Sequence, residues 1–169
     1  GMNTMLAAKL GWQQWQESDV ALTERLFTLL EQAEVDMTLF FRQLAELDLN
    51  APDPASLRSS FYRDDLYHQH QPEFQQWLSD YAQRVLSEER LPEDRAARMN
   101  QVNPVYVLRN YLAQQVIDAA EQGDYQPISE LLDVLRQPYT EQAGKEAYAQ
   151  KRPDWARHKP GCSMLSCSS

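Results

Sequence analysis

The sequence predicts an all-α protein, an irregular multi-helix bundle with an extended C-terminal tail. Three observations carry this. Leu, Ala, Gln, Glu and Arg, all good helix formers, dominate the 169 residues, whereas glycine occurs only 5 times. Apolar residues recur three and four positions apart along most of the chain, the mark of a buried helical face. Hydrophobic residues make up 43% of the chain and include 4 Trp, 8 Tyr and 5 Phe, enough to build a core.

Each element follows from a local signal. Leu22, Leu26, Leu29, Leu30 and Ala33 share one helical face, with Ser18 or Asp19 as the expected cap. Met37, Phe40, Phe41, Leu44 and Leu47 form a second stripe that Asp36 should cap. Residues 48–54 read as a loop, and Asp53 followed by Pro54 reads as a cap and first-turn proline opening a short helix. Phe74, Trp77, Leu78, Tyr81, Ala82, Val85 and Leu86 form the cleanest stripe, which Pro72 is expected to open. Pro92 interrupts, and a short helix is expected from Arg95 to Met99.

Asn103-Pro104 is read as the start of a long helix bearing Val105, Leu108, Leu112, Val116 and Ala119, closed by Gly123. Pro127 opens the next, with Ile128, Leu131, Leu132 and Leu135 on its face, and Pro138 closes it. A weaker helix is expected over 140–150. Beyond Lys151 the pattern stops, so residues 1–150 form the expected helical domain and 151–169 the tail. Uneven Pro and Gly spacing argues against a repeat array.

Acidic residues number 25 against 16 basic, a net charge of −9. That charge repels phosphate backbones and anionic lipid, so neither nucleic acid nor a membrane is an expected partner. No apolar run of membrane-spanning length occurs. The start lacks the basic and apolar regions of a signal peptide, which predicts a cytoplasmic protein. Gly1 ahead of Met2 reads as a cleavage scar, so the chain is expected to be a piece of a longer one.

Motifs for chemistry are few. There is no phosphate-binding glycine loop and no nucleophile elbow. His68 and His70, two apart, diverge on a helix and read as polar residues before the Pro72 helix. Asp64-Asp65 reads as a solvated helix end. Asn103, Arg109 and Asn110 lie beside an apolar stripe. A guanidinium there must find acceptors, which predicts a polar clamp between helices or domains, with contact to a partner domain or nucleotide as the functional alternative.

Both cysteines, Cys162 and Cys167, sit in the last eight residues. Their spacing supplies too few ligands for a zinc site. An inert tail, a local disulfide and a redox thiol pairing elsewhere all remain open readings.

Three segments then carry a resemblance. They are Asp36-Met37-Thr38-Leu39-Phe40-Phe41-Arg42-Gln43-Leu44, the stretch from Arg98 through Asn103-Pro104-Val105-Tyr106 to Leu112, and the ending Pro153-Asp154-Trp155-Ala156 with Ser166-Cys167-Ser168-Ser169. In these the chain resembles the C-terminal part of the selenoprotein O family, protein adenylyltransferases with a kinase-like fold. The likeness covers nearly the whole chain after Met5. It implies a parent that transfers AMP from ATP to protein hydroxyls and uses a divalent metal, Mg or Mn. The parts that do so belong to an upstream kinase-like region, and none matches a position here.

The resemblance therefore implies a piece that is inactive alone, holds no cofactor or metal of its own, and packs on the kinase-like region. It also implies a redox-regulatory thiol at Cys167, where some members carry selenocysteine, with Cys162 or a cysteine of the parent as disulfide partner. A cysteine thiol is mostly protonated at neutral pH, which favours slow regulation over redox catalysis. A severed apolar face predicts a homodimer. The reading from composition alone is a free-standing acidic helical interaction module.

Overall fold

A computed structural model describes residues 1–89 and 93–158. Among these the fold is all-α: seven α-helices, three short 3-10 helices and, in place of a sheet, a single bridge between Val35 and Phe61. The chain divides into two compact units, Gly1–Asn103 and the part from Pro104 onward.

The first unit opens with α1 (Met2–Lys9), which the sequence reading did not anticipate. α2 (Asp19–Gln32) buries Leu22, Leu26, Leu29 and Leu30, the expected stripe. Ser18 stands at its cap position without a side-chain cap bond. Asp19 instead turns back to accept from the Gln16 amide at 2.8 Å. α2 ends with Glu34 in the left-handed region, φ 54°.

α3 (Met37–Ala45) is capped by Asp36, whose carboxylate accepts from the Leu39 amide at 3.0 Å. Asp53 accepts from Ala55 and launches the 3-10 helix Pro54–Ser60, with Pro54 in its first turn.

α4 (Asp64–Leu86) is longer than expected, and Pro72 lies inside it rather than at its start. A proline removes one backbone bond and usually ends a helix. Here the turns on both sides bury Tyr67, His70, Phe74 and Trp77, so packing outweighs the lost bond. Asp64 and Asp65 occupy its first turn, where the helix dipole favours acids, and pair with Arg58 and Arg63.

α5 (Glu93–Asn100) follows and buries Arg95 and Met99. α4 packs on α2, and α3 packs on α5 and on the 3-10 helix. Between them lies an aromatic core of Phe40, Phe41, Phe74, Trp77 and Tyr81. Trp77 stacks on Tyr81 with centroids 5.1 Å apart and 9° between planes, and its Nε1 donates to the Leu22 carbonyl at 2.9 Å.

In the second unit the long helix expected from Asn103-Pro104 begins later. α6 spans Asn110–Glu121. The Val105 and Tyr106 amides both donate to the Pro138 carbonyl, at 2.8 and 3.3 Å, so this stretch is held by a cross-chain contact instead of helical bonds. Gly123, φ 88°, stands just beyond the end of α6. α7 (Gln126–Leu135) starts with Pro127 in its first turn.

No α-helix forms over 140–150. Gly144 takes φ 80°, and only the 3-10 helix Glu146–Ala149 appears. Beyond it, the segment expected to be extended contains a 3-10 turn, Asp154–Ala156. Its Ala156 is buried with Tyr111, Leu112 and Leu131, and Trp155 meets Tyr111 edge-on at 6.4 Å. No described helix is long and apolar enough to cross a membrane.

Candidate functional site

The charged groups buried or half-buried in the first unit hold its helices together at three nodes. Arg95, on α5, is 3% exposed. Its guanidinium donates to three carbonyls at the end of α3: Leu44 at 2.9 Å, Ala45 at 3.2 Å and Leu47 at 3.1 Å. The last carbonyls of a helix lack partners within it and carry its negative dipole end, so a buried cation answers both needs. Arg95 also donates to Tyr81 Oη at 3.1 Å. Tyr81 in turn donates to the Leu10 carbonyl at 2.6 Å. Burial pushes the Tyr81 phenol up to about 12, with Arg95 pulling the other way.

Asn103 closes a seam next to this. Its Nδ2 donates to the Lys9 carbonyl at 2.9 Å, and its Oδ1 accepts from Lys9 Nζ at 2.8 Å. Arg42, on α3, donates to the carbonyls of Asn103 at 3.0 Å and Asn100 at 3.3 Å. Arg98 reaches the Gly11 carbonyl at 3.2 Å. Lys9 also lies 4.1 Å from the Phe41 ring centroid, and burial lowers its pKa. These bonds tie the end of α1, the flank of α3 and the chain after α5 into one piece.

A third node joins α4 to α2. Arg84 meets the Asp19 carboxylate through Nε at 2.7 Å and Nη2 at 3.1 Å. Nη2 also donates to the Gln14 carbonyl at 2.7 Å, and Nη1 lies 3.3 Å from Glu88. Burial works against the Arg84 charge, and the Asp19 and Glu88 partners outweigh it, raising its pKa.

The expected clamp residues are thus not gathered on one helix. Asn103 belongs to the first unit. Arg109, fully buried, is the N-cap residue of α6, and Asn110 is the first residue of that helix. The Ala113 amide donates to the Arg109 carbonyl at 3.0 Å, which fixes the start of α6 there.

The residue that serves helix-end carbonyls in the first unit is Arg95, which the sequence reading does not single out. Arg42, Arg84, Arg95, Arg98 and Lys9 were all missed. One signal was available: Arg84 lies three residues after Tyr81 and seven after Trp77, a position on the buried face of α4.

Of the remaining candidates, His70 is buried with Nδ1 3.4 Å from Glu73, and His68 is exposed beside Arg58. Cys162 and Cys167 lie outside the described residues. Among those described, no three His, Cys, Asp or Glu side chains gather as a metal site. The arrangement holds helices together.

Comparison with known proteins gives consistent matches. The family model described as protein adenylyltransferase SelO matches residues 2–136. A protein nucleotidyltransferase YdiU of Tolumonas auensis is 78% identical over 168 residues, covering 99% of this chain and 32% of that relative. The protein of the same name in Aromatoleum aromaticum is 56% identical over 165 residues, with 98% and 32% covered. That of Rhodopirellula baltica is 46% identical over 182 residues, with 99% and 34% covered. The chain thus spans about a third of the length of the curated relatives it matches.

Proposed function

The chain belongs to the protein adenylyltransferase SelO family, and from that premise we propose that it is the C-terminal helical part of an enzyme that transfers AMP from ATP to hydroxyl groups of proteins. In this reading the chemistry belongs to the kinase-like remainder of the parent. This part packs on that remainder as a rigid support.

The observation that carries the reading is where the charge of the buried and half-buried arginines goes. Arg42, Arg84, Arg95 and Arg98 are spent on backbone carbonyls or, for Arg84, on a buried carboxylate. Groups so engaged rigidify a fold and are not available to a triphosphate. ATP and the divalent metal, Mg or Mn, are accordingly assigned to the rest of the parent.

The test is transfer of labelled AMP to a protein acceptor, run with the full-length parent and with the 169-residue chain. Transfer by the parent alone is expected. Transfer by the chain alone, or none by the parent with ATP and either metal, overturns the reading.

We further propose that Cys167 is a redox-regulatory thiol. Two thiols, Cys167 and either Cys162 or a cysteine of the parent, would give up two electrons and two protons to a peroxide and join as a disulfide. Thiol-alkylation mapping of the parent with and without peroxide tests this. Cys167 that stays fully alkylatable after oxidation rules the role out.

A further inference from the structure

We propose that an apolar groove between α1 and α2 is the seat of an apolar segment from the rest of the parent polypeptide. The proposal rests on the reading that the chain is one part of a longer adenylyltransferase.

The groove encloses about 740 Å³ and is lined by Met2, Met5, Leu6, Trp15, Val20 and Phe27 together with polar neighbours. Met2 is 72% exposed, Met5 61% and Val20 41%. Single apolar residues scattered over a surface need no explanation, but several converging on one concavity mark an interaction site.

The composition of α1 points the same way. α1 is apolar on more than one side: Ala7 goes into the core, while Met2, Met5 and Leu6 line the groove. A short helix of that kind is built to be covered on both sides.

Charge and length choose the occupant. Each copy of the chain carries −9, which opposes pairing of two copies through this face. The chain accounts for 32% of the length of its Tolumonas auensis relative, so about two-thirds of such a polypeptide is available to cover it.

Methionine footprinting of the full-length parent with peroxide tests the assignment. Sulfoxide formation at Met5 is compared with that at Met99, which is wholly buried in the core. Shielding of Met5 to within about threefold of Met99, at every protein concentration, is the expected result. Oxidation of Met5 roughly tenfold or more faster than Met99 overturns it. So does shielding that vanishes on dilution, which assigns the face to a second copy. AMP transfer is measured on the same sample. A parent without transfer but with Met5 shielded counts against the adenylyltransferase reading and leaves the groove assignment supported.

Discussion

The Arg84 guanidinium holds the Asp19 carboxylate with two nitrogens, at 2.7 and 3.1 Å, although 65 residues separate them and both side chains are buried. This pair fastens α4 to the start of α2. Removing one member strands the other charge out of water, which costs far more than the pair gains over an apolar replacement. Arg84→Met and Asp19→Asn should each lower unfolding free energy by about 3 to 5 kcal/mol in urea titrations. The double substitution Asp19→Asn with Arg84→Met should cost clearly less than the sum. Additive losses would mean that the two side chains act separately.

Arg95 spans three carbonyls with a planar fork, and an ammonium has neither that shape nor that reach. Arg95→Lys should lose roughly 2 kcal/mol and Arg95→Leu more, because buried carbonyls are left without donors. Denaturant midpoints of the two variants decide it. A Lys variant as stable as the parent protein contradicts the carbonyl-bridging role.

Gly11 takes φ 77°, and a Cβ there would lie 2.7 Å from Met99 Sδ and 2.8 Å from Arg95 Cγ. Both the backbone and the space demand glycine. Gly11→Ala should destabilise by about 2 kcal/mol or more, read as a fall in Tm. Adding Met99→Ala should recover part of the loss relative to Met99→Ala alone, because the steric component is then relieved.

Tyr81 sets an alkaline limit. Its folded pKa of about 12 lies above the ordinary value of 10.0, so the unfolded chain releases this proton first. Its contribution is complete below pH 10 and is lost as pH rises toward 12, a loss of roughly 2 to 3 kcal/mol. Stability at pH 8 and pH 11 should therefore differ by less in Tyr81→Phe than in the unsubstituted chain. An equal difference would place the alkaline sensitivity elsewhere.

Glu34 adopts φ 54°, a region that costs a residue with a Cβ about 1 kcal/mol. It follows the end of α2, where glycine is the favoured residue. Its ion pair with Arg63 is exposed, 3.3 Å long, and worth little. Glu34→Gly should therefore raise stability by about 0.5 kcal/mol, against the usual trend for glycine. A lower Tm would show that the Arg63 contact outweighs the backbone relief.

What could be read from residues alone was local. Asp36, Asp53 with Pro54, Gly123 and Pro127 each act within one turn of themselves, and each stands at the boundary its chemistry indicates. Pro72 misled because burial of Tyr67 and His70 ahead of it is a tertiary effect. Residues 105–108 look like a helical stripe, but the amides of Val105 and Tyr106 are committed to Pro138, thirty-odd positions away. The arginine framework was hidden for the same reason. The carbonyls that Arg95 serves lie 48 to 51 residues earlier, and no spacing rule connects them. The family likeness came through because it rests on residue identity in order, which needs no knowledge of contacts.

The reciprocal bonds between Lys9 and Asn103 close a loop of chain, with partners 94 positions apart. The first unit therefore has the end of α1 and its own last residue side by side. What loosens at one end is thereby felt at the other: fraying of α1 releases the chain after α5, so the two open together.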